Sequence, residues 1–201
     1  MNEEQFLREV EGHTMTIFKD DGIYRHIRFS KNGSSVMQFD LITWQGYLCY
    51  TGDMGTYVFR RLHDMFTFFR NDGRNPIGLY INRAYWHEKL EATDRNDGSK
   101  EFSIEKFRTT IKEYVDDRDT DYGENGYAQL VEAVKEQLLD NDFQFESEAR
   151  QAVEDFEFED FEFSDFWEHD LQDYTHRYTW CCYAIVWGIQ QYDKVNINEQ
   201  H

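Results

Sequence analysis

From His13 to Arg61 short runs of β-branched and aromatic residues alternate with glycine-bearing connections: HTMTIFK, DDG, GIYRHIRFS, KNGSS, VMQFDLITW, QG, YLCY, TGDMG and TYVFRR. A repeat of roughly ten residues closed by Asp-Gly and Asn-Gly turns predicts an antiparallel meander of four or five strands. In VMQFDLITW one face takes Val36, Gln38, Asp40 and Ile42 and the other Met37, Phe39, Leu41 and Thr43, and the second is the predicted core face. GIYRHIRFS alternates imperfectly and does not decide its buried side. Beyond Arg61 the period lengthens. Leu62, Met65, Phe66 and Phe69 stand at helical spacing and predict a short amphipathic helix within 62–70, stopped by a loop containing the only proline, Pro76.

A second small unit starts at Asn82, with a strand to Thr93, a DRNDGS turn and a strand into Phe102. Ser103 ahead of Ile104, Phe107, Ile111 and Tyr114 reads as the cap of a helix that ends near Asp117. Leu130, Val131, Val134 and Leu138 predict another over Tyr127 to Leu139, and Glu146 to Asp155 a third. Leu171 to Tyr192, with Tyr174, Tyr178, Cys181, Cys182, Ile185 and Ile189, is apolar on nearly every face, the mark of a central helix. In EDFEFEDFEFSDF the residues Phe156, Phe158, Phe161, Phe163 and Phe166 are spaced 2, 3, 2 and 3. That spacing predicts a strand pair, or a strand broken by a bulge or turn near Asp160, with phenylalanines inward and acids outward. The fold class that follows is α+β: an N-terminal antiparallel β-meander with C-terminal helices, the last long helix packed on the sheet. The length fits a single domain, 1–201, comprising the meander and short helix (13–70), a mixed subdomain (82–139), an acidic aromatic-rich face (140–173) and a core helix (171–193).

Charge changes this picture more than any motif does. The net charge is −19, and the halves differ: residues 1–100 hold 14 acids and 13 bases, the remainder 26 and 8. Asp140 to Asp173 carries 14 acids, one base (Arg150), seven phenylalanines and Trp167. A solvating tail lacks the apolar area that offsets chain entropy, so this segment is read as an acidic stretch that folds. Such charge repels nucleic acid and anionic membrane at long range, which disfavours direct binding to either, so neither is expected as a partner, and points to a basic surface on another protein. Homo-oligomerisation is left open. No run approaches the roughly 20 apolar residues of a membrane span, and the polar N-terminus does not read as a signal. Three cysteines, two of them adjacent, do not make a disulfide scaffold, and a reducing cytoplasm is the expected setting.

Catalytic chemistry is weakly signalled. Histidine adjoins a carboxylate at His63-Asp64, His87-Glu88 and His169-Asp170, and His176 follows His169 by seven residues, about two turns if one helix carries both. His63, Asp64, His169, Asp170 and His176 are therefore the candidate ligands of a metal-dependent hydrolase or nucleotide-modifying enzyme. No HExxH or CxxC spacing accompanies them, so no metal, no cofactor and no catalytic residue is assigned. Cys49 lies in a predicted strand without a flanking base. TGDMG (Thr51–Gly55) lacks the lysine and the following helix of a phosphate loop and reads as a hairpin connection, with Asp53 a candidate for a site at the end of the sheet. The five tryptophans read as packing residues.

The segments FDLITWQGYLCYTGDMGTYVFRRLHDMFTFFR (Phe39 to Arg70) and FEFSDFWEHDLQDYTHRYTWCCYAIVWGIQQYD (Phe161 to Asp193) resemble a family of small proteins of tailed bacteriophages and prophages. The likeness covers about a third of the chain and fades between residues 95 and 155. It brings no catalytic residues with it. It implies expression in the cytoplasm of an infected bacterium, where strongly acidic accessory proteins disable host defences by imitating the charge of DNA. The expected function is then a counter-defence inhibitor that blocks a basic nucleic-acid-binding host protein. The candidate binding residues are Glu154, Asp155, Glu157, Glu159, Asp160, Glu162, Asp165 and Glu168, with help from Asp116, Asp117, Asp119 and Asp121.

Overall fold

The computed structural model of the protein describes residues 1–70, 78–96, 98–117 and 123–198. The expected loop around Pro76, and Asp119 and Asp121, lie outside them. The chain forms two compact units, one of Met1–Ser99 with the chain from Tyr174 on, the other of Lys100–Asp173. Residues 82–99 thus belong with the meander, while 100–139 share a unit with the acidic stretch.

The first unit opens with helix α1 (Glu3–Glu9), which the sequence reading missed. Its signal was present: Asn2 accepts from the amide of Gln5 at 2.9 Å, and Glu3 and Glu4 favour the positive helix start. There follow β1 (His13–Asp21), β2 (Tyr24–Lys31), β3 (Phe39–Trp44), β4 (Tyr47–Gly52) and β5 (Gly55–Arg60), then helices α2 (Met65–Phe69) and α3 (Arg83–His87), and β6 (Leu90–Ala92). The six strands pair antiparallel in chain order, so the meander is real and one strand wider than expected.

Register explains the burial. Ile27 lies opposite Leu41, Leu41 opposite Tyr50 and Tyr50 opposite Tyr57, and all four are fully buried. Phe39, Leu41 and Thr43 are buried, as their alternation predicted. Against this face packs α7 (His176–Asn198), whose Trp180, Ile185 and Ile189 join the same core. Gly188 marks the closest approach: a methyl group there would stand 2.8 Å from Leu41 Cδ1 and 3.0 Å from Phe29 Cε2.

The second unit contains β7 (Lys100–Phe102), α4 (Ile104–Asp116), α5 (Gly123–Val134) continued by a π-helical turn (Lys135–Leu139), α6 (Glu146–Glu154), a 3-10 turn (Phe166–Glu168) and β8 (Gln172–Tyr174), which pairs with β7. Its own core joins Phe107, Ile111, Tyr114, Leu130, Val134 and Leu138 to Val153, Phe156, Phe161 and Phe166. Ser103 caps α4 as predicted, accepting from the Lys106 amide at 3.2 Å, whereas Val131 is exposed.

Two helix starts need correction. The helix predicted from Leu171 begins only at His176, because Gln172–Tyr174 is a strand and Thr175 accepts from the Tyr178 amide at 3.1 Å, fixing the helix start. The helix predicted from Leu62 starts at Met65, after Asp64.

Candidate functional site

The acidic stretch 154–168 forms no strand pair. After α6 it runs through successive turns: the amide of Phe161 donates to Phe158 O at 2.9 Å and that of Glu168 to Asp165 O at 3.0 Å. Glu159 (φ 45°) and Asp165 (φ 57°) adopt the left-handed conformation. Spacing of 2 and 3 suits this path, because each reversal returns the next ring to the interior where a continuous strand would expose it. The expected turn near Asp160 is present, without flanking strands. Phe156, Phe161 and Phe166 are buried and Phe158 and Phe163 half-buried, while all eight predicted carboxylates are exposed. The rings contact one another edge to face, Phe161 and Phe163 at 4.9 Å between centroids and Phe156 and Phe163 at 5.3 Å.

Three side chains hold this backbone. Gln137 donates through Nε2 to Glu157 O at 3.1 Å and accepts from the Glu157 amide at 3.3 Å. The Tyr114 hydroxyl lies within reach of two carbonyls, 3.1 Å from Ser164 O and 3.4 Å from Glu162 O. Arg150, the one base in the stretch, pairs with Glu146 at 2.8 Å and donates to the carbonyls of Phe166, Trp167 and His169 at 3.4, 3.3 and 2.8 Å. Its charge thus serves the inside of the loop and leaves the outer carboxylates unneutralised. Among the described residues none of the eight forms an ion pair. Other bases of the unit sit elsewhere: Lys100 and Lys106 on Asp170, Arg108 beside Glu105 and Asp142, Lys135 on Glu132.

The division into units sharpens the charge asymmetry seen in the sequence. The first unit carries 16 acids and 14 bases, the second 24 and 7. Asp116 and Asp117 are exposed at the end of α4, and Asp116 accepts from the Tyr127 hydroxyl at 2.8 Å. Two aromatic side chains of this unit are largely unburied: Trp167, within the acidic loop, is 71% and Phe145, ahead of α6, 65% exposed. Reading tryptophan as packing holds for Trp180 and Trp86 and fails for Trp167. A shallow cavity of about 100 Å³ lined by Val153, Glu154, Phe163, Phe166 and Trp167 adjoins it.

The candidate metal ligands are otherwise engaged. Asp64 caps α2, accepting from the Phe66 amide at 2.9 Å, and takes both terminal nitrogens of buried Arg25 at 2.9 and 3.1 Å. Burial would raise its carboxyl, but the bonds from Arg25 and the Phe66 amide prevail and hold it below the usual carboxylate value. Asp170 accepts from the Gln172 amide and from Lys100 and Lys106, which lowers it to about 2. His169 packs on the Phe166 ring at 5.3 Å, His63 is exposed, and His176 starts α7, so His169 and His176 do not share a helix. Among the described residues no three His, Cys, Asp or Glu side chains are grouped to hold a metal.

The thiols offer no nucleophile: burial pushes Cys49 and Cys181 up and Cys182 to about 12, so all stay protonated. TGDMG is the predicted hairpin connection, and the Asp53 carboxylate accepts from the Met37 amide at 2.9 Å. One pair escaped the sequence reading, His87 Nε2 at 3.0 Å from Ser99 Oγ, but Ser99 is buried.

Among the described residues no helix is long and apolar enough to cross a membrane. Comparison with known protein families, with curated proteins and with solved structures found no match to this chain.

Proposed function

We propose that this protein is an interaction module whose acidic aromatic face, from Glu154 to Glu168, occupies the basic nucleic-acid-binding surface of a bacterial protein and so keeps DNA or RNA from it. The reading fits a phage or prophage counter-defence inhibitor at work in the infected cell. The observation that carries it is the state of the eight carboxylates: exposed, unpaired among the described residues, and borne on a backbone that Gln137, Tyr114 and Arg150 hold in place. Fixed charges of one sign focus potential on a basic cleft and raise association rates, with a reach of about 8 Å at physiological salt. A purely ionic contact lacks dry anchors, and exposed Trp167, within the acidic loop, supplies one. The enzymatic alternative has no assembled metal site among the described residues to support it.

The test is a pull-down from bacterial lysate at low and high salt with the wild type and with a variant carrying Glu157→Lys, Glu159→Lys, Asp160→Lys and Glu162→Lys. The wild type should retain a nucleic-acid-binding protein at low salt and lose it at high salt, and the variant should retain none while melting at nearly the same temperature. Equal capture by both proteins would end the proposal.

A further inference from the structure

The first unit holds a cleft of about 330 Å³ whose lining runs against the character of the chain. One residue in five of this protein is acidic, yet among the described residues no carboxylate lines the cleft; Arg61 and Arg70 do, beside Phe68, Tyr80, Asn82 and Tyr85. Its walls come from α2 and α3 and from the residues that flank them. The Phe68 and Tyr85 rings contact each other at 5.7 Å between centroids, tilted by 45°, and Tyr85 stays 40% exposed, so part of its surface is open to a ligand ring.

The cations in and around the cleft differ in their freedom. Arg70 is fixed by a bidentate pair with Asp193 at 2.9 and 3.0 Å. Arg61 is exposed and pairs with no carboxylate among the described residues, which leaves its planar fork for an incoming anion. Lys89, its ammonium 4.7 Å from the Tyr85 ring centroid, is taken up by Glu88 at 3.1 Å, so Arg61 is the cation the cleft offers among its described lining residues. Asn82 uses its side-chain oxygen to cap α3, accepting from the Tyr85 amide at 3.1 Å, and so presents its amide hydrogens as donors. An aromatic wall, a free guanidinium and a carboxamide donor in a space at the lower end of small-ligand sites match a planar base joined to one phosphate.

We propose that this cleft binds a nucleoside monophosphate, the base against Phe68 and Tyr85 and the phosphate on Arg61. This site is independent of the acidic face. Its size admits a single nucleotide, which separates it from any contact with polymeric nucleic acid.

Isothermal titration of the full chain with AMP, CMP, GMP and UMP tests the assignment, with inorganic phosphate and adenosine as partial ligands. At least one monophosphate should bind saturably, at least tenfold tighter than inorganic phosphate and tenfold tighter than adenosine. Arg61→Ala and Tyr85→Ala, both at exposed side chains, should each weaken that binding about tenfold with unchanged melting. Absence of binding by all four at millimolar concentration overturns the proposal. So does phosphate or adenosine binding as tightly as the nucleotide, or undiminished affinity in both variants.

Discussion

The side-chain amide of Gln137 meets the peptide of Glu157 on both sides, donating to its carbonyl at 3.1 Å and accepting from its N–H at 3.3 Å. A glutamine from the π-helical turn thus does for the acidic loop what a neighbouring strand would otherwise do. Replacing it by alanine should cost about 1–2 kcal/mol for two partly exposed bonds. The sharper readout is hydrogen exchange: the Glu157 amide should exchange faster in Gln137→Ala while the amides of α4 keep their protection.

Arg150 carries more of the loop. Arg150→Ala removes the pair with Glu146 and three bonds to carbonyls, and should destabilise by about 2–3 kcal/mol in denaturant unfolding. Lysine should not restore the loss, since one ammonium does not reproduce the planar fork that reaches Phe166, Trp167 and His169 together.

At Asp64 the prediction concerns acid. Its folded carboxyl is depressed, so it contributes stability that is present above its unfolded value of about 4 and drains away as pH falls through the folded value. Asp64→Ala should lose this part of the acid dependence. At neutral pH it should cost about 3 kcal/mol, because the buried guanidinium of Arg25 loses its main partner. Urea midpoints measured between pH 3 and 7 for both proteins check both statements.

Trp167 separates binding from folding. With 71% of its surface in solvent, Trp167→Ala should leave the melting temperature within the scatter of surface substitutions and weaken capture of the partner tenfold or more. Unchanged capture would remove the tryptophan from the interface.

Gly188→Ala probes the helix–sheet contact. The added methyl meets Leu41 and Phe29 at or within 3.0 Å in a filled core, and overpacking of this kind costs about 1–3 kcal/mol. Thermal unfolding followed by circular dichroism reads the loss.

Where sequence conveyed structure, the information was local. Turn glycines spaced the strands, alternation at Phe39, Leu41 and Thr43 named the core face, and Ser103 announced α4. Asp64 is instructive because its neighbour misdirected the reading: next to His63 it looked like a ligand, although Asp ahead of Met65, Phe66 and Phe69 is equally a helix cap. The acidic loop shows the reverse case. Its inward rings and outward acids followed from composition, but its path did not, since that path depends on Gln137, Tyr114 and Arg150, side chains 16 to 50 residues distant from the carbonyls they hold. Side-chain bonds to backbone at such separations leave no periodic trace. The cleft of the first unit was hidden for the same reason, as Arg61, Asn82 and Tyr85 come together only once α2 and α3 are in place.

The chain departs from the first unit after Ser99 and rejoins it at Tyr174, and the Thr175 amide donates to Ser99 O at 3.1 Å. Exit and return are neighbours, so the intervening 74 residues are an insertion whose removal opens a gap that a few glycines can span. The core of the first unit draws on no residue of that insertion, so its excision should leave the strand order and the buried helix untouched.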